Sequence, residues 1–329
     1  MTDLIRLVLR LVIRVVLAAS LAISATAAVA QPYPSRPIRL LVSFPPGGAA
    51  DIVARMVGQP LSVRLGQPVV VENRPGSNGN LAGDLAARAE PDGYTLLLGP
   101  SALFGINPHL YSRMPIDPLK DLLPVASLVS NELILAANPA LTAGKDFRAF
   151  VALARDTKPS LFYGSIGNGS EHHLAMELLK QQAGIDLIHV PYRGGGPAAI
   201  GVMAGDVAAM FGGGSVAPLV QSGKLRGLAV SGPRRSAVLD LPAIGEVYPG
   251  YEVTLWQGLF APVGTSDAIV ARLRGEANAI LAQGDFAEKL SAAGSGDPYV
   301  TTPADFAARI RSDHARYGKL IKAAGVSVD

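Results

Sequence analysis

IRLLVSFPPGGAADIVARMVGQPLSVRL, residues 38–65, decides the fold class. Ile38–Ser43 is a short aliphatic run, as expected of a strand buried on both faces. Pro45-Pro46-Gly47-Gly48 breaks it, and Ala49–Leu65 follows with helical spacing of its apolar residues. The pattern then recurs, with a strand at Val69–Glu72, a helix at Asn80–Ala89 and a strand at Tyr94–Leu98. A β-α-β-α-β series predicts a parallel sheet with helices on both faces. In such sheets ligands bind beyond the carboxyl ends of the strands.

A second series follows Leu123–Ala137, which reads as one long extended stretch or two successive strands. Helices are expected at Phe147–Asp156, Ser170–Ala183 and Ala198–Ala204. Strands are expected at Leu161–Tyr163, Leu187–Val190, Val207–Phe211 and Leu225–Ser231. Glu252–Ala261 is extended again. The remainder is helical, over Ser266–Ala282, Phe286–Ala293 and Thr302–Ala324. Thr302-Pro303-Ala304-Asp305 is a good helix start, with a capping Thr, Pro at the first helical position and an acid in the first turn. Two α/β series predict two lobes, with hinges near Ser130–Asn138 and Tyr248–Leu255. The pattern alone leaves open whether the helical tail returns to the first lobe.

The chain has 329 residues, enough for about two domains. Gly and Pro together make up about 19% of it, against a usual total of about 12%, without a collagen period. There is no Cys, which excludes disulfides, thiol nucleophiles, Cys-ligated zinc and iron–sulfur clusters. Residues 1–30 read as an export signal. Arg6, Arg10 and Arg14 precede the uncharged run Val15–Ala30, which ends in Ala28-Val29-Ala30 before Gln31. The uncharged run is shorter than the ~20 residues a spanning helix needs. Cleavage is expected after Ala30, releasing a soluble protein into the periplasm. Removing the signal takes away three Arg and one Asp, and the formal charge of +3 falls to about +1. A basic surface for nucleic acid loses its support.

Four glycine-rich turns follow strands. In Ser43–Asp51, Gly47 and Gly48 let the backbone approach a ligand closely, and the next helix start offers unpaired N–H groups to an anion. Asp51 is placed to cap that helix. Tyr163–His173 repeats the logic in the second lobe, with Ser170 as the N-cap. The others are His189–Pro197, which contains Arg193, and Phe211–Ser215. A Gly-x-Ser-x-Gly elbow, a P-loop, a first-turn Gly-x-Gly-x-x-Gly and a His-Glu-x-x-His pair are all missing. His173 and Glu177, one helical turn apart, lack a third metal ligand. No cofactor and no metal are expected.

The ordered motifs along the chain carry a resemblance. They include Tyr33-Pro34-Ser35-Arg36-Pro37, Phe44-Pro45-Pro46-Gly47-Gly48 with Asp51, Val71-Glu72-Asn73-Arg74-Pro75-Gly76 and Pro91-Asp92-Gly93-Tyr94. Tyr163-Gly164-Ser165 with Gly167-Asn168-Gly169, His189-Val190-Pro191-Tyr192 and Gly258-Leu259-Phe260-Ala261-Pro262 continue the series. The chain resembles the Bug-type extracytoplasmic receptors of tripartite tricarboxylate transporters over residues 32–325. The resemblance implies a two-lobed, type II periplasmic-binding α/β fold. Each lobe is a mainly parallel sheet flanked by helices, and two crossover strands join them. Lobe 1 is residues 31–132 plus 254–329 and lobe 2 is 133–253, with the tail back in lobe 1. It implies a monomeric receptor, not an enzyme, that delivers a small carboxylate to the membrane subunits of such a transporter.

The site residues carried over are Phe44, Pro46, Gly47, Gly48, Ala49 and Asp51 in the first lobe, with Ser101 and Trp256. In the second they are Ser165, Gly167, Asn168, Gly169, Ser170, His173, Arg193 and Gly212. Ala50, His172, Gly212, Gly213 and Gln257 depart from the family pattern, removing polar groups and bulk near the expected cleft. A roomier pocket for a larger or aromatic acid is therefore expected. Two other readings remain open at this point: a ligand-dependent partner of a sensor kinase, and a hydrolase using Asp51, His172 and His173.

Overall fold

The computed structural model describes residues 33–142, 146–236 and 238–328. The expected export signal lies outside the described residues. Within residues 36–329 the chain builds two sheets. The first carries β1 (Ile38–Val42), β2 (Val69–Asn73), β3 (Thr95–Pro100), β4 (Leu122–Glu132), β10 (Thr254–Pro262) and β11 (Asp297–Pro298), in the order β11-β4-β10-β3-β1-β2. The second carries β5 (Ile134–Ala137), β6 (Leu161–Ser165), β7 (Leu187–Pro191), β8 (Ala209–Gly212) and β9 (Arg226–Val230), in the order β7-β6-β8-β5-β9.

The two sheets share a plan. Three parallel strands lie side by side, β2-β1-β3 in one lobe and β7-β6-β8 in the other. Next to β3 and next to β8 runs an antiparallel strand that has just crossed from the other lobe, β10 and β5 respectively. The expected extended stretch resolves into β4 and β5, separated by Leu133 alone. The return crossing is Ser231–Val253. Ser231 ties the two crossings together, because its Oγ accepts the Leu133 N–H at 2.8 Å and donates to the Val253 carbonyl at 2.5 Å.

Helix α1 (Ala49–Leu65) spans the residues its sequence pattern predicts and stops at Gly66, whose φ of 70° suits a glycine C-cap. The short helix α2 (Ser101–Gly105) escapes the periodicity, since five residues hold too little of a 3.6-residue repeat to be read. In lobe 2, α3 (Glu171–Ala183) starts behind Ser170, whose Oγ accepts the His173 N–H. Helix α4 (Gly195–Ala204) begins three residues before its expected start, so two glycines form its first turn.

The C-terminal helix α5 (Pro303–Ala324) returns to the first sheet. Phe306 meets Trp256 edge-on at 5.2 Å and packs with Phe104 and Phe260. Each such buried aromatic contributes about 2–3 kcal/mol by leaving water. A second core gathers Phe147, Phe150, Tyr163, Leu179, Phe211 and Tyr251 inside lobe 2, and a further one lies around Ile134, Val202, Met210 and Val230. A smaller cluster joins the lobes, with Leu174 of α3 against Leu110, Tyr317 and Leu320.

Candidate functional site

A cavity of about 560 Å3 lies where the loops after β1 and β3 face the start of α3 and the loop after β8. From the first lobe it is lined by Phe44, Gly47, Gly48 and Ala49, then Ser101, Leu255 and Trp256. Ile166, Ser170, Glu171, His172 and Gly213–Val216 line it from the second. Most of the wall is apolar. Among the described residues that line it, Glu171 is the only carboxyl and no Lys or Arg takes part.

Gly47 holds φ of 81°, which the turn needs and which an L side chain resists. Gly48 is the helix N-cap and has no side chain to satisfy the first N–H groups of α1. Those donors and the positive end of the helix are therefore available to an anion. Asp51 does not line the cavity. Its carboxylate accepts the Gly47 N–H at 2.9 Å, the Asn73 amide at 3.0 Å and the Arg55 Nε at 3.0 Å. Arg55 first, and these hydrogen bonds with it, hold its pKa down at about 2. Asp51 fixes the loop from behind.

The second-lobe loop is held in a similar way. Ser165 Oγ donates to the Gly167 carbonyl and lies 2.6 Å from His189 Nε2. His189 stacks on His173 at 3.9 Å. His173 Nδ1 accepts the Gly169 N–H at 3.0 Å, so its proton sits on Nε2. Burial holds His173 down at about 4, with the neighbouring His189 adding to the effect. Tyr163 and Lys180 both bond Glu177, so Glu177 is occupied on its own account.

Of the residues singled out from sequence, Phe44, Gly47, Gly48, Ala49, Ser101, Ser170 and Trp256 come together around the cavity. Pro46, Asp51, Ser165, Gly167, Asn168, Gly169, His173, Arg193 and Gly212 do not line it. Arg193 points to solvent. Gly212 is enclosed by Val216, and its next neighbours Gly213–Ser215 reach the cavity instead. The trio Asp51, His172 and His173 is not assembled into one site, since only His172 faces the cavity. Asn78, Asn131 and Ala293–Gly294 also line it and carry no sequence signal, because only the fold brings them there. Glu171 was hidden by its place after Ser170, where an acid reads as an ordinary first-turn residue.

Neutral His173 gives one prediction. Its folded pKa lies below the ordinary 6.5, so it contributes stability above about pH 6.5 that is lost as pH falls through about 4. His172 behaves alike, held to about 4 by burial. Glu171 is pushed up by burial and acts with the opposite sign. The His173→Asn variant keeps an acceptor for Gly169 without the titration. Its urea midpoint should fall less than the wild type's between pH 7 and pH 4.5. Parallel curves would refute the assignment.

A two-lobed α/β binding protein with a cleft between facing strand-end loops is the class this architecture defines. The profile of the tripartite tricarboxylate transporter family receptor matches residues 53–326, and the chain belongs to that family. The family's members are periplasmic solute receptors rather than enzymes. Protein BugT of Bordetella pertussis is 33% identical over 316 residues, covering 92% of this chain and 95% of its own. The solved structure of R. palustris Rpa4515 with adipate is 32% identical, with a TM-score of 0.77 over 90% of this chain and 100% of that one. MatC from Rhodopseudomonas palustris with bound malate is 30% identical, with a TM-score of 0.73 over 88% and 100%.

Proposed function

We propose that this receptor is exported by residues 1–30, cleaved after Ala30, and acts as a monomer. It clamps a small carboxylated organic compound between its lobes and presents it to the membrane subunits of a tripartite tricarboxylate-type transporter. Lobe 1 is residues 31–132 plus 254–329 and lobe 2 is 133–253. The observation that carries the reading is the start of α1 behind Gly48, which has no side-chain cap and opens on a cavity lined by no Lys or Arg. Backbone N–H groups are suited to replace the water a carboxylate loses when the lobes close. The adipate and malate seen in two relatives support the ligand class. Phe44, Trp256 and the apolar wall would bury the rest of the ligand.

A thermal-shift screen of mono- and dicarboxylates tests this. A ligand at 100 times its dissociation constant stabilises the fold by about 2.7 kcal/mol, a rise in Tm of several degrees. At least one carboxylate should give that rise, and Gly47→Val should abolish it while leaving the circular dichroism unchanged. A screen in which no carboxylate raises Tm would overturn the reading.

A further inference from the structure

Two residues of the cavity wall carry buried polar atoms that nothing in the fold satisfies. His172 is 8% exposed, and its Nδ1 has no partner. Gln257 Oε1 is also buried without a partner. Both residues line the cavity. Unpaired buried polar atoms are costly, and in a native fold they call for a partner supplied from elsewhere.

Glu171 completes the group. It is 8% exposed, and its Oε1 accepts a 2.8 Å hydrogen bond from Ser101 Oγ across the cleft. Ser101 Oγ in turn accepts the Trp256 N–H at 3.3 Å. Gln257 follows Trp256, and pairs in the sheet with Pro100, the residue before Ser101. His172 follows Glu171. The three side chains therefore come from segments that meet around Pro100–Ser101. Ser101 occupies one oxygen of Glu171. Burial pushes Glu171 above the usual carboxylate range and holds His172 neutral at pH 7.

We propose that Glu171, His172 and Gln257 form a polar subsite that accepts a hydrogen-bond-donating group, a hydroxyl or an amine, on an otherwise apolar monocarboxylate. The inference rests on the receptor reading above and sharpens its ligand class. The subsite offers acceptors at Gln257 Oε1 and Glu171, and a neutral imidazole able to take either role. It holds no Lys or Arg to balance a second carboxylate. A dicarboxylate would bring its second charge beside an acidic side chain in an apolar wall, where desolvation opposes it. Its apolar body would lie on the Leu133, Ile166, Val216 and Leu255 surface.

Calorimetry on the signal-free chain tests the subsite with benzoate, 4-hydroxybenzoate, 4-aminobenzoate and terephthalate. These share one ring and one carboxylate and differ only at the far end. The hydroxyl or the amine should bind at least tenfold tighter than benzoate, and terephthalate weakest of all. The two arms separate the hydroxyl from the amine. Gln257→Leu and His172→Leu should each cut that preference, read as the ratio of dissociation constants within each variant, to less than threefold. Two variants guard against one failing to fold, checked by circular dichroism. Terephthalate binding as tightly as 4-hydroxybenzoate, or a preference unchanged in both variants, overturns the subsite and leaves the receptor reading standing. Absence of binding by these four and by every acid in the wider carboxylate screen overturns both.

Discussion

Replacing Asp313 by Ala should lower stability by about 3–5 kcal/mol, the typical cost of stripping one partner from a buried charge pair. Asp313 is 2% exposed and takes hydrogen bonds from three sides. Trp256 Nε1 donates to Oδ2 at 2.8 Å, Arg309 Nε to Oδ2 at 2.8 Å and Arg316 to Oδ1 at 2.8 Å. Removing the carboxylate leaves an indole N–H unpaired inside the first-lobe core, takes the Asp313 partner from Arg316 and leaves Arg309 with Glu252 alone. The damage would spread, since Arg309 also holds the Glu252 carboxylate and Thr254, and Arg316 the Glu252 carbonyl. Urea denaturation should show the full loss for Asp313→Ala and a smaller one for Asp313→Asn, which keeps an acceptor for Trp256. Equal losses would show that the charge does not matter.

Gly169→Ala should cost about 2–4 kcal/mol, far more than a single methyl would suggest. Gly169 has φ of 70°, where a side chain costs about 1–2 kcal/mol. Its added Cβ would also stand 2.2 Å from Leu110 Cδ2, across the lobe junction. Overpacking of that kind adds roughly 1–3 kcal/mol. Leu110→Ala removes the obstacle, so the double variant should be more stable than the sum of the single losses by about 1–2 kcal/mol. An additive pair would mean that the junction yields freely and that Leu110 does not set the loop's position.

These two sites mark the limits of what the sequence reveals. Helix α1 was legible to the residue, because Gly48 and Gly66 bracket an unbroken periodic run. The alternation of strands and helices gave the two lobes, and the Pro-Pro-Gly-Gly turn gave the first-lobe half of the cavity. Asp313 and Arg309, by contrast, look like an ordinary i,i+4 pair on a solvated helix face. Only the packing of α5 on Trp256 shows that the carboxylate is buried. The Gly167–Gly169 turn was recognisable as a turn, but Gly169 serves the fit against Leu110 and the bond to His173 rather than the cavity surface. Gln257 stood out only as a departure that removes bulk near the cleft, and Glu171 only as part of the Tyr163–His173 turn; their side-chain chemistry emerged once burial was known. A sequence reports which residue sits at a strand end. It does not report which side chains a neighbouring lobe seals from water.

Ser231 has a mechanical consequence. Its one hydroxyl holds the outgoing chain at Leu133 and the returning chain at Val253. Sliding one crossing past the other would break both hydrogen bonds, so the hydroxyl acts as a rivet between the two. The grip of Arg309 and Arg316 on Glu252 fixes one side of that rivet to the first lobe. A swing of the second lobe about Ser231 would keep both of its hydrogen bonds, which makes that residue the natural pivot between the lobes.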